Sequence, residues 1–227
     1  KESSAASDVY KRQALPMIDD SGDRRPLASR QTAWAGSLAR LLLKTPVTPN
    51  TISVAGMGFA LIGGFALSLA PLHAWLFLLA ALMIQLRLLC NLMDGMVAVE
   101  GGRHSPSGAL YNEAPDRLED AAFLIGCGYA ALMPELGYLA ALGAVGTAYI
   151  RAFGASLGFG QDYRGPMAKQ HRMAALTAGC VVGFFEISFA GTLYAIQIAL
   201  VVILFGTAVT CIRRLHRISA MLHGQPR

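Results

Sequence analysis

Charge is scarce in this sequence. Of its 227 residues only 15% are charged, while 54% are hydrophobic; a soluble globular domain carries about 25% charged residues. The shortfall is local. Residues 51–86 hold no Asp, Glu, Lys or Arg, and residues 173–212 hold Glu186 alone. Runs of that length exceed the ~20 apolar residues that cross a bilayer, which excludes an ordinary soluble enzyme and a disordered chain. Cysteine is sparse too. Cys90, Cys127, Cys180 and Cys211 all lie in apolar stretches without a CxxC pair, so free buried thiols are expected rather than a disulfide framework or a zinc site. No internal repeat is present, and the polar, Arg-rich first 50 residues lack a secretory leader pattern.

What charge there is sits at the ends of the apolar runs. Eight of the 19 Lys and Arg residues fall within positions 1–50, and Arg213, Arg214, Arg217 and Arg227 close the chain. No basic, aromatic-interleaved face suited to nucleic acid is present. The pattern is that of cytoplasmic flanks under the positive-inside rule.

The expected fold is all-α and integral to the membrane: six transmembrane helices preceded by an amphipathic juxtamembrane helix. Residues 1–30 read as a polar cytoplasmic tail. Over 31–47, Trp34, Leu38, Leu41 and Leu42 recur at the spacing of one helical face, which predicts an interfacial helix with Trp34 at headgroup depth. The six-helix domain runs over 48–213, with spans near 51–70, 74–98, 111–135, 136–154, 173–188 and 191–212. A C-terminal tail, 214–227, follows. The turns at 71–73, 134–137 and 187–191 carry no Lys or Arg, so both termini are expected in the cytoplasm.

Ionisable side chains within spans are costly and mark functional sites by default. The predicted topology gathers them at the cytoplasmic boundary. Asn91 and Asp94 share a face at the end of the second span. Asn112 and Asp116 share one at the start of the third, with Glu113 beside them and Asp120 one turn deeper. Arg151, Lys169 and Arg172 arrive at the same level from later segments. Carboxylate and amide oxygens favour hard cations such as Mg²⁺, Mn²⁺ or Ca²⁺. Lys and Arg facing such a site suit a phosphate-bearing substrate. A set of interhelical ion pairs is the plainer reading of the same residues.

Asn91-x-x-Asp94-Gly95-x-x-Ala98, eight residues between Val99 and Gly108, then Gly108-x-x-x-Asn112-x-x-x-Asp116 resembles the signature of the CDP-alcohol phosphotransferase family, DxxDGxxARx8GxxxDxxxD. TPNT at 48–51, YIRA at 149–152 and the loop with Lys169 and Arg172 extend the resemblance over about residues 40–212. It implies a homodimer and a cytoplasm-facing site. There a metal-dependent reaction moves a phosphatidyl or substituted phosphoryl group from a CDP-linked lipid donor to an alcohol acceptor, releasing CMP, in phospholipid synthesis. By position it implies Mg²⁺ or Mn²⁺ ligands at Asp94 and Asp116, with Asn91, Asn112 and Glu113 contributing. Asp116 is also the general base. The nucleotide lies on Gly95, Ala98 and Gly108 beside Asn91 and Asp94, and donor or acceptor phosphates meet Arg151, Lys169, Arg172 and Arg103.

The sequence departs from the signature at three places. Its first and third aspartates are Asn91 and Asn112, and its arginine is Val99. Glu113, Asp120 or Glu100 could restore negative charge, and Arg103 could replace the arginine. Arg87, four residues before Asn91, could pair with Asp94 or meet a lipid phosphate. These departures leave two other readings open: hydrolysis or use of another donor in the same pocket, and a non-catalytic protein that binds a nucleotide-lipid.

Overall fold

The computed structural model describes residues 32–102 and 108–224. The predicted tail 1–30 and Arg103 lie outside them. Seven helices make up the described chain: α1 (Ala33–Leu43), α2 (Pro49–Leu69), α3 (Trp75–Glu100), α4 (Gly108–Ala130), α5 (Pro134–Ser156), α6 (Lys169–Ala190) and α7 (Tyr194–Gly224).

Local chemistry sets the boundaries. Thr48 caps α2, its side chain accepting from the Thr51 N–H, and Pro49 occupies the first turn, where a missing N–H is harmless. Pro134 opens α5 in the same way. Gly191, at φ +66°, ends α6 in the left-handed conformation that glycine adopts without a Cβ clash.

Five of these helices (α2, α3, α5, α6 and α7) are long and apolar enough to cross a membrane. The chain is a multi-pass membrane protein. α4 has the length but not the apolarity, because its first half carries Glu113, Asp116, Arg117, Glu119 and Asp120. The long helices close into a ring in which α2 packs on α3 and α4, α4 on α5, α5 on α7, α7 on α6, and α6 back on α3. Outward faces are greasy: Phe65, Phe189 and Phe205 are all exposed, as expected where lipid tails are the solvent.

Small residues bring the helices together, as the glycine content of the spans suggests. A Cβ on Gly64 of α2 would stand 2.5 Å from the carbonyl oxygen of Ala122 in α4. α1 docks on the bundle through small side chains. Ala35 and Ala39 are buried, packing with Leu92, Met93, Met96 and Val97 of α3, while Trp34 and Leu41 face outward. Leu38, Leu42 and Leu43 are partly buried against the same cluster. α7 runs to Gly224, well past the predicted span end at 212. Most of the predicted C-terminal tail is therefore helical, and Arg214 anchors it by donating to the carbonyls of Thr147 and Arg164.

Candidate active site at the α3–α4 cleft

α3 and α4 each lose their apolar character at one end, and the two ends lie side by side. Between them and α2 is a small cleft walled by Ser53, Gly56, Arg87, Cys90, Asn91, Asp94, Tyr111, Pro115, Asp116 and Glu119. Pro115 sits inside α4. Without an N–H it leaves the Tyr111 carbonyl, four residues earlier, short of its helical donor on the cleft wall.

Asp94 is buried and held by neutral donors. Ser53 of α2 gives its hydroxyl to Oδ2 at 2.8 Å, and the Gly95 N–H points to Oδ1 at 2.6 Å. Asp116 is held by charge. Its Oδ1 receives the Lys169 ammonium, Arg87 Nη2 at 3.1 Å and Asn91 Nδ2 at 2.7 Å. Among the described residues, its Oδ2 has only Arg117, at 3.7 Å. Asn91 and Asp116 thus meet, as the shared motif faces predict.

Arg87 is fully buried and organises the cluster. Nε pairs with Glu119, and Nη2 reaches Asp116 and, at 3.4 Å, Asp120. The expected alternatives for it, Asp94 or a lipid phosphate, give way to α4: Arg87 and Asp94 lie two turns apart on one helix, whereas the acidic stripe of α4 runs alongside. Among the described residues, Nη1 has no hydrogen-bond partner. An unpaired buried N–H costs about 1–3 kcal/mol, so this nitrogen, on a residue that walls the cleft, is a standing donor for an incoming oxygen.

Further along the stripe, Arg172 binds Asp120 at 2.7 Å and also donates to the Met167 carbonyl. Glu113 is held away from the cleft, by Arg117 at 2.8 Å and Arg151 at 2.6 Å. Arg151 also donates to Gln161 and lies over the Tyr163 ring. Gly95 and Ala98 are half-buried on α3. Around Gly108 nothing stands within 4 Å of where a Cβ would be. Asn112 lies in α4, with its side chain outside the described residues.

Two participants escape sequence reasoning. Ser53 looks like helix filler in a charge-free span, and Glu119 like one more acid in the run EAPDRLED. The one signal for Glu119 was its position, three residues after Asp116 and so on the same face.

The donors around the cleft are mainly oxygens, from Asn91, Asp94, Asp116 and Glu119, a set that suits a hard divalent cation. Among the described residues, no three His, Cys, Asp or Glu side chains form a group that could hold a metal ion alone. Mg²⁺ commonly needs only one or two carboxylates when substrate phosphates supply the rest, and Asp94 and Asp116 meet that requirement.

No family model matches the chain. Named relatives do. The chain is 32% identical over 124 residues to the archaetidylinositol phosphate synthase of Aeropyrum pernix, covering 53% of the chain and 64% of the relative. It is 26% identical over 189 residues to the phosphatidylinositol phosphate synthase of Mycolicibacterium smegmatis, covering 80% and 82%. The chain is thus similar to members of the CDP-alcohol phosphotransferase family. A further relative is the inner membrane protein YnbA of Escherichia coli, 36% identical over 37% of the chain and 41% of that protein. The chain thus spans less than two thirds of the length of the Aeropyrum and Escherichia relatives. The fold is also that of a solved CDP-alcohol phosphotransferase. The phosphatidylinositol phosphate synthase of Mycobacterium tuberculosis in complex with manganese and citrate superposes with a TM-score of 0.69 at 22% identity, over 81% of this chain and 88% of that one. Its form with CDP-DAG bound gives 0.67 at the same identity, over 81% and 92%.

Proposed function

We propose that this protein is a CDP-alcohol phosphotransferase that transfers a phosphatidyl group from CDP-diacylglycerol to the hydroxyl of a phosphate-bearing polyol, of which inositol phosphate is the first candidate, releasing CMP. The observation that carries the reading is the convergence of Asp94 and Asp116, from two helices, on a cleft that also presents the Arg87 guanidinium. The names of the two synthase relatives support the donor and acceptor classes.

In this reading the acceptor oxygen bonds to the lipid-side phosphorus of the diphosphate. The bond from that phosphorus to the bridging oxygen breaks, and CMP leaves with the electron pair. The hydroxyl proton passes to Asp116, whose Oδ2 is the less encumbered oxygen. Lys169 and Arg87 fix that carboxylate in place, while Asn91, Asp94, Gly95, Ala98 and Gly108 border the nucleotide. Arg172 secures the stripe through Asp120, and Arg151, at the rim, receives the acceptor phosphate once Glu113 yields it. A divalent cation, Mg²⁺ or Mn²⁺, bound at Asp94 and Asp116 would neutralise charge on the diphosphate. Six crossings with α4 among them, both termini in the cytoplasm and a homodimer complete the reading; the Lys and Arg distribution supports the orientation.

The test is CMP release by the full chain in nanodiscs, given CDP-diacylglycerol, Mn²⁺ and a panel of polyols and polyol phosphates. Acceptor-dependent release is expected, lowered at least about 10²-fold by Asp116→Asn, the usual scale for losing a general base. Silence with every acceptor, or undiminished release by Asp116→Asn, would sink the reading. Release without any acceptor would make water the nucleophile.

A further inference from the structure

The Lys169 ammonium lies on Asp116, the proposed base, yet nothing local fixes where α6 begins. Ala168, just before its first turn, has no side chain that can cap the helix. The start of α6 is set instead by α7. Thr210 of α7 is fully buried. Its hydroxyl donates to the Gly206 carbonyl at 2.8 Å, the back-bond that threonine makes within a helix. That bond fixes the hydroxyl and leaves its lone pairs to the α5–α6 loop, where the Met167 N–H donates to it at 3.0 Å.

Met167 is held on two further sides. Its carbonyl accepts from Arg172 Nη1 at 2.9 Å, and its side chain packs on Gly206, where a Cβ would stand 2.9 Å from the Met167 Cε. Gly165, at φ +142°, passes so close that a Cβ there would collide with the Thr210 methyl. Arg214 holds the same loop at the Arg164 carbonyl, farther from α6.

We infer that Thr210 is a positioning residue for the transfer step: by holding the Met167 amide it sets the start of α6 and so seats Lys169 on Asp116. The inference rests on the proposed transferase reading. Lys169 and Arg172 follow Met167 closely on the chain, so a displaced Met167 moves both cations, which meet the α4 stripe at Asp116 and Asp120. Without the hydroxyl the Met167 N–H is buried and unpaired, and the loop must shift to find it a partner. Thr207, about one turn earlier on α7, supplies the contrast. It is buried too, but among the described residues its hydroxyl has no hydrogen-bond partner.

The test is kcat for CMP release by the full chain in nanodiscs, with CDP-diacylglycerol, Mn²⁺ and the best acceptor of the polyol panel. Tryptic cleavage after the exposed Arg164 reports the loop independently of activity. Thr210→Val keeps the packing and removes the hydroxyl. Its kcat should fall about tenfold, the rate equivalent of one buried hydrogen bond. Cleavage after Arg164 should quicken several-fold, since proteolysis tracks the opened population. Thr210→Ser should restore both, and Thr207→Val should match the parent. Because Thr210 acts through Lys169, Thr210→Val should cost less than about twofold more in a Lys169→Met background. A change that only lowered stability would be felt equally in both backgrounds. Parental kcat or parental cleavage in Thr210→Val overturns the inference and leaves the transferase reading standing. So does an equal loss in Thr210→Ser or Thr207→Val, or full additivity with Lys169→Met. A parent that transfers nothing to any acceptor overturns both.

Discussion

Arg87→Met is the most telling single perturbation of this protein. The side chain is fully buried and binds Glu119, Asp116 and Asp120, so methionine fills much of its volume while stranding charge on three carboxylates. Removing one partner of a buried ion pair costs about 3–5 kcal/mol. For a chain of this length each kcal/mol moves the midpoint by roughly 2–4 °C, so the expected fall is about 6–20 °C. Thermal unfolding of the detergent-solubilised protein, followed by circular dichroism or thiol labelling of the buried Cys127 and Cys180, measures it. The decisive comparison is Arg87→Met combined with Glu119→Leu. Glu119 is the partner of Nε, and with both charges gone the pair becomes apolar, a change that is often neutral for a buried ion pair. The double variant should recover part of the loss, with a coupling of about 0.5–3 kcal/mol. A double variant no more stable than Arg87→Met alone would refute the idea that stranded charge, rather than lost packing, sets the cost.

Other expectations follow from single contacts. Arg151→Ala should raise the KM for a phosphate-bearing acceptor with little change in kcat, because it removes ground-state binding; an unchanged acceptor KM places the acceptor elsewhere. Gly64→Ala forces a Cβ against the Ala122 carbonyl. The overpacking should cost about 1–3 kcal/mol in a thermal or denaturant assay, and a variant as stable as the parent would mean that α2 and α4 part easily. Thr48→Ala removes the α2 cap and should cost about 0.5–2 kcal/mol by the same measurement.

Much of the bundle is written in hydropathy. Runs without charge located α2, α3, α6 and α7, and Thr48-Pro49 and Pro134 marked two of the helix starts. The motif spacing located Asn91, Asp94 and Asp116 within one cleft, because i, i+3 and i, i+4 positions share a helix face whatever the tertiary structure. Pairing across helices was less legible. Which acid Arg87 meets depends on where α4 sits relative to α3, and both are seated on α2, α4 through Gly64 meeting Ala122, by small-residue packing that no charge pattern encodes. Glu113 shows the same limit. It lies next to the motif in sequence, yet i, i+4 geometry gives it to Arg117 and proximity of α5 gives it to Arg151. In α1 the large side chains draw the eye, yet the most buried positions of its contact with α3 are Ala35 and Ala39.

The acidic stripe of α4 bears on how the protein is made. An Asp placed at the centre of an inserting helix opposes insertion by about 2.5–3.5 kcal/mol, and α4 carries Asp116, Glu119 and Asp120 on adjoining turns. Its counter-charge sits on α3, which leaves the ribosome first, so Arg87 is already waiting when the stripe emerges. Arg172, on α6, comes two helices later. Under the proposed six-crossing topology, α4 is a segment whose entry into the bilayer depends on its predecessor and whose settling depends on a helix not yet synthesised, and moving Arg87 off α3 should be felt during biogenesis before it is felt in catalysis.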